Sequence, residues 1–121
     1  MNKISILLVE DYPDTCALLQ MFLENAGFFV TPAGDGAEAL ELLGQNKPDL
    51  VVTDLMMPRV SGVELIQYIR ANKELSVIPV IAMTAYSSGP VKQAREAGAN
   101  CVLRKPLDAE VLTSTVRELV E

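Results

Sequence analysis

Five apolar runs rich in Val, Ile and Leu, at about residues 4–9, 28–32, 49–53, 78–84 and 100–103, alternate with five stretches of helical periodicity at about 13–26, 36–45, 61–72, 89–97 and 107–120. No linker separates them. Such an alternation folds through right-handed strand–helix–strand crossovers into one parallel sheet with helices on both faces, the doubly wound α/β class. The first, third and fourth runs are apolar at nearly every position, as central strands covered on both sides must be. A chain of 121 residues is the size of one domain, and residues 1–121 read as a single one.

The helical stretches carry their own punctuation. In the first, Pro13 suits an early helical position, Leu19, Phe22, Leu23 and Ala26 recur at helical spacing, and Gly27 suits the stop. The third starts at Ser61-Gly62 and repeats Val63, Ile66 and Ile69. The fifth has Asp108 near its start and an expected apolar stripe through Val111, Leu112, Thr115 and Leu119.

Four strand ends deliver polar groups. The first ends in Glu10-Asp11, the third in Asp54, the fourth in Thr84, and the fifth runs through Arg104 to Lys105. In an open parallel sheet these ends converge on the crevice where such folds bind ligands. Carboxylates gathered there repel one another unless a positive charge compensates, and an oxygen-preferring divalent cation, most simply Mg²⁺, is suited to that task. A hydroxyl and an ammonium beside them would bind an oxyanion. Metal, oxyanion donors and a potential Asp nucleophile together describe phosphoryl transfer to a carboxylate.

Composition removes several other chemistries. The chain has no histidine, which excludes Ser-His-Asp triads, His-ligated zinc and histidine general bases. Ten basic against sixteen acidic residues give a net charge of −6, which argues against a nucleic-acid surface. Cys16 and Cys101 lie in apolar segments without metal-site spacing and read as reduced, buried thiols. No signal-peptide layout and no membrane-spanning run is present, so a cytoplasmic location without membrane association is expected.

Four segments carry a resemblance to a known family. They are Leu7-Leu8-Val9-Glu10-Asp11, the run Pro48-Asp49 through Asp54 to Pro58, Pro79 through Thr84 to Tyr86, and Ala97-Gly98-Ala99 followed by Lys105-Pro106-Leu107. Together they resemble the receiver domain of two-component response regulators, over the whole chain and in order. The resemblance implies a (βα)5 flavodoxin-like fold with strand order 2-1-3-4-5. It makes Asp54 the phosphoacceptor. Asp11 and Asp54 would bind Mg²⁺ directly with the backbone carbonyl of Met56, and Glu10 would act mainly through coordinated water. Thr84 would hydrogen-bond the phosphoryl group, Lys105 would pair with it, Tyr86 would report the switched state, and Lys105–Pro106 would be a cis peptide.

The same resemblance implies partners. The donor would be a histidine kinase or histidine phosphotransfer protein, which the absence of histidine here requires to be another protein. The receiver of the signal would be a downstream protein target or an output domain, docking around helix four, strand five and helix five, while helix one, near Asp14, Thr15 and Leu18, would face the kinase. The chain would be a monomer or a phosphorylation-dependent dimer, and a self-phosphorylating and self-dephosphorylating switch, not an enzyme turning over an external substrate.

Two enzyme readings compete. Gly34-Asp35-Gly36-Ala37-Glu38-Ala39 fits the G-x-G-x-x-A dinucleotide fingerprint, with Asp54 about 20 residues on. It follows the second strand, however, where the fingerprint belongs to the first, and it leaves Glu10, Asp11, Thr84 and Lys105 unused. A haloacid-dehalogenase-type phosphatase would need a second Asp where Met56 stands. No G-x-x-x-x-G-K-[ST] occurs.

Overall fold

The computed structural model describes residues 3–85 and 90–121. Strands β1 (Ser5–Val9), β2 (Phe29–Ala33), β3 (Leu50–Asp54), β4 (Val80–Thr84) and β5 (Cys101–Arg104) alternate with helices α1 (Pro13–Asn25), α2 (Gly36–Gln45), α3 (Gly62–Ala71), α4 (Pro90–Ala97) and α5 (Ala109–Val120). All neighbouring strands pair in parallel, in the order β2-β1-β3-β4-β5. The three runs read as central strands are thus the three inner strands, and every residue of β3 and β4 is buried.

The period of two sorts the strand side chains onto two cores. Leu7, Val9, Val51, Val80 and Ala82 pack on one face with Leu43 of α2, Leu65, Ile66 and Ile69 of α3 and Ala94 of α4. Ile6, Leu8, Leu50, Val52, Ile81 and Met83 pack on the other with Leu19 and Leu23 of α1 and Leu112 and Val116 of α5. Each fully buried Leu, Ile or Val side chain contributes about 1.5–3 kcal/mol, so the strand ends that carry the polar groups stand on a rigid base.

Element boundaries differ from the sequence expectation by one or two residues, each for a local reason. Strand β2 extends to Ala33 through Pro32. The Phe29 N–H donates to Ile4 O at 2.9 Å and Ala33 O accepts from Glu10 N at 3.0 Å. Alternate residues therefore face β1, while Pro32 faces the open edge, where its missing N–H costs no ladder bond. Helix α5 begins at Ala109 and not 107, because Asp108 is the N-cap, its carboxylate accepting from Glu110 N and Val111 N. This start turns Leu112, Thr113 and Val116 inward and leaves Val111 half exposed, correcting the stripe expected there. Thr113 tolerates burial because its hydroxyl donates to Ala109 O at 2.9 Å. Helix α3 is closed by a reciprocal capping box between Ser61 and Glu64, a spacing signature that the sequence reading passed over.

Candidate functional site

Strand register brings the acidic residues together. Val9 pairs with Thr53 across β1 and β3, so the next residues, Glu10 and Asp54, stand side by side at the point where the chain winds off in opposite directions along the sheet. Across β3 and β4, Asp54 pairs with Met83, which places Thr84 one step beyond. Thr84 in turn pairs with Arg104, and Lys105 N donates to Thr84 O at 2.8 Å. The five residues singled out from sequence thus gather at one end of the sheet.

The side chains converge as well. Carboxylate oxygens of Glu10, Asp11 and Asp54 lie within 4.8 Å of one another. Lys105 Nζ donates to Glu10 Oε1 at 2.6 Å and to Asp54 Oδ2 at 3.1 Å. The second oxygen of Glu10 accepts from Tyr12 N at 3.1 Å, so both its oxygens already have protein donors. Asp11 is different: it is exposed, and no donor among the described residues reaches its carboxylate. One ammonium bonded to two of three neighbouring carboxyl groups leaves the cluster a ready host for a hard cation, and Asp11 supplies an uncommitted oxygen ligand.

Burial sets the electrostatics. Glu10 is 1% exposed, and this desolvation pushes its carboxyl above the ordinary range, against the opposing pull of Lys105 and the Tyr12 N–H. For Lys105 burial acts to lower the pKa, but hydrogen bonds and charge from Glu10 and Asp54 outweigh it, and the net shift is upward. The stability that Lys105 contributes is therefore complete below the amine's ordinary pKa of 10.5 and is lost as pH rises through its higher folded-state value. Lys105→Met leaves Glu10 buried without its cation, at an expected cost of about 3 kcal/mol. Denaturant titrations in EDTA should show this gap at pH 8 and its narrowing above pH 10.5. A gap unchanged by pH would contradict the assignment.

The loop after Asp54 is built to pass close beneath it. A Cβ added at Gly62 would lie 2.2 Å from Asp54 O and 2.7 Å from Leu55 Cα, so only glycine lets the first turn of α3 approach the backbone of Asp54. Gly62 N closes the loop by donating to Leu55 O at 3.0 Å, and Leu55 N donates to Met83 O at 3.0 Å. Met56 stands at the mouth of the cluster, 56% exposed, its N–H directed at Asp54 Oδ1 at 3.4 Å. Thr84 is buried, and the Lys105–Pro106 bond is cis. Tyr86 lies outside the described residues, as does the adjoining segment 87–89.

This constellation on this strand order agrees with the sequence itself, which matches the response regulator receiver domain family over residues 6–117. The chain belongs to that family. The receiver domain is 37% identical over 121 residues to the response regulator Rre1 of Synechocystis sp., covering 98% of this chain and 52% of that protein, so it spans about half of Rre1's length. It is 32% identical over 114 residues to the polar-differentiation response regulator DivK of Brucella anthropi, covering 93% of both. Among solved structures, the receiver domain of a sensor histidine kinase from Pseudomonas aeruginosa superposes with a TM-score of 0.92 at 28% identity, covering 98% of each chain. That protein holds a magnesium ion coordinated in its active-site cleft.

Outside the site, Cys16 and Cys101 are free and half buried in the core beside α1 and α5. Burial pushes the Cys16 thiol pKa up, with Glu10 and Glu38 adding to the effect. No helix among the described residues is long and apolar enough to cross a membrane. Sequence reasoning missed the direct Glu10–Lys105 bond, since no spacing relates residues that far apart, and it missed the loop contacts made by Asp35, Gly36 and Arg59.

Proposed function

We propose that this receiver domain accepts a phosphoryl group on Asp54 from a phosphohistidine of another protein, with Mg²⁺ held by Asp11, Asp54 and the Met56 carbonyl. The observation that carries the reading is the single cluster in which Asp54 shares Lys105 with Glu10 and lies beside the uncommitted carboxylate of Asp11. In the transfer, an Asp54 carboxylate oxygen forms the new P–O bond as the donor's P–N bond breaks. The imidazole leaves as the neutral ring, taking the bonding electron pair on the nitrogen that held phosphorus and keeping the proton already on its other nitrogen. Bound Mg²⁺ would screen the approaching negative charges and neutralise the phosphoryl oxygens.

The protein's own groups do the rest. Lys105, already 3.1 Å from Asp54 Oδ2, meets charge developing on the phosphoryl oxygens. Glu10 orients that ammonium and also receives the Tyr12 N–H. Phosphorylation adds roughly −1.5 to −2 charges to the pocket. Thr84 answers them with its hydroxyl, and the change passes to the surface around α4, β5 and α5, where a downstream target or output domain would dock. The donor would be a histidine kinase or phosphotransfer protein approaching from the α1 side in the cytoplasm. On this reading the domain is a switch and not a turnover enzyme.

Incubation with acetyl phosphate and Mg²⁺ tests the reading, with one phosphoryl group per chain expected by intact mass. A chain that stays unlabelled would instead be a binding-only module. Metal binding itself has a separate readout. A ligand present at about 100 times its Kd stabilises by about 2.7 kcal/mol, so saturating Mg²⁺ should raise the melting temperature of the parent and leave Asp11→Ala unmoved. An equal rise in both would remove Asp11 from the ligand set.

A further inference from the structure

We propose that the Asp35–Arg59 ion pair and the contact of Gly36 with Val60 form a latch between two loops that sets the position of the Met56 carbonyl, and with it the cation affinity of the site. The inference rests on the reading that Mg²⁺ is held by Asp11, Asp54 and that carbonyl. It also gives a role to Gly34-Asp35-Gly36, the segment whose resemblance to a dinucleotide fingerprint the phosphoacceptor reading leaves unexplained.

Three observations converge. Arg59 has a φ of +69°, the one non-glycine residue in the left-handed region among those described, a conformation that a bulky side chain holds only where its surroundings impose it. The Arg59 guanidinium is bound by Asp35 Oδ2. Asp35 is itself tied to the start of α2, because its Oδ1 caps that helix by accepting from Glu38 N at 2.8 Å, while Glu38 Oε1 accepts from Gly34 N at 2.6 Å. Finally, a Cβ at Gly36 would lie 2.4 Å from Val60 O and 2.6 Å from Val60 Cβ. The β2–α2 loop thus presses on the β3–α3 loop, backbone against backbone, at the residue after Arg59.

The stretch between Asp54 and α3 has few other restraints. Leu55 and Gly62 are tied at its two ends, and a tight turn joins Val60 N to Pro58 O at 2.9 Å. Among the described residues no donor reaches the Met56 carbonyl, and the Met56 N–H makes only the 3.4 Å contact to Asp54 Oδ1. The placement of that carbonyl therefore follows from the two anchored ends and from the latch at residues 59 and 60.

Two substitutions test this with opposite charge changes. Asp35→Asn keeps a good N-cap for α2 but removes the negative partner, whereas Arg59→Gly removes the positive partner and suits the left-handed backbone. If these residues acted on Mg²⁺ only through long-range charge, Asp35→Asn would weaken binding and Arg59→Gly would strengthen it. The latch predicts that both weaken it, by about threefold, within the range a surface ion pair can supply. The measurement is the Mg²⁺ dissociation constant from amide NMR titration of the full chain, with thermal melts in EDTA beside it and the core substitution Leu43→Ala as a reference for general destabilisation.

Weaker binding in both variants, with metal-free melting temperatures close to the parent, supports the latch. Opposite shifts, unchanged constants, or an equal loss in Leu43→Ala overturn it while leaving the Mg²⁺ reading intact. A parent chain that binds no Mg²⁺, or that binds it as well after Asp11→Ala, overturns both.

Discussion

Asp54→Asn is expected to abolish phosphorylation while leaving the fold in place. The amide matches the carboxylate in shape, and its oxygen can still accept from Lys105 Nζ, which lies 3.1 Å from Asp54 Oδ2. It lacks the negative charge and the nucleophilicity that the new P–O bond requires. Intact-mass measurement after treatment with acetyl phosphate and Mg²⁺ should show one added phosphoryl group on the parent and none on the variant. Equal labelling of the two would move the phosphoacceptor elsewhere. The other carboxylates are poor substitutes: Glu10 is buried with both oxygens engaged, and Asp11 stands away from Lys105 on the solvent side.

Met56→Glu is expected to speed the loss of phosphate by about 10²-fold, the ordinary contribution of a group that positions or deprotonates a water. Hydrolysis needs a water in line with the phosphorus–Asp54 bond, and Met56 is the exposed side chain at the cluster's mouth, with its own N–H directed at Asp54 Oδ1. Its thioether offers no strong acceptor to guide that water, so the native phosphorylated state should be comparatively long-lived. Met56→Ala separates chemistry from access. If Met56 merely shields the pocket, the two substitutions will accelerate dephosphorylation equally; if the missing acceptor matters, only Met56→Glu will do so strongly. Decay of the phosphorylated mass after removal of the phosphodonor measures both.

Much of this molecule was legible in the sequence because it depends on local pattern. Apolar runs such as Leu50-Val51-Val52 announce inner strands, since a strand covered on both faces can expose no polar side chain. Alternation with amphipathic helices restricts the connections to right-handed crossovers, and the polar groups at four strand ends then share one side of the sheet. Local pattern alone therefore places Glu10, Asp11, Asp54, Thr84 and Lys105 in one region. Boundaries were less accurate where one polar residue could serve inside or outside a helix. Asp108 turned out to be a cap, and Val111 consequently faces solvent.

Tertiary structure decided what no local pattern encodes. Strand order and register are properties of pairing, and a parallel pair can in principle slide; it is the match of Val9 with Thr53 that sets Glu10 beside Asp54. The bonds from Lys105 to Glu10 and Asp54 span 95 and 51 residues of sequence and exist only once β5 has joined the sheet next to β4. Gly62 reads in the sequence as a helix start and Gly36 as part of a G-x-G-x-x-A pattern, yet each is required because other residues occupy the space where its side chain would be: the backbone of Asp54 and Leu55 for Gly62, and Val60 for Gly36. The residue types determined by themselves that this chain would be a doubly wound domain with acidic and basic groups at one end of its sheet. Which carboxylate is buried and paired, which is left exposed, and which residues approach the site followed from packing, because desolvation and close approach depend on distances between residues remote in the chain.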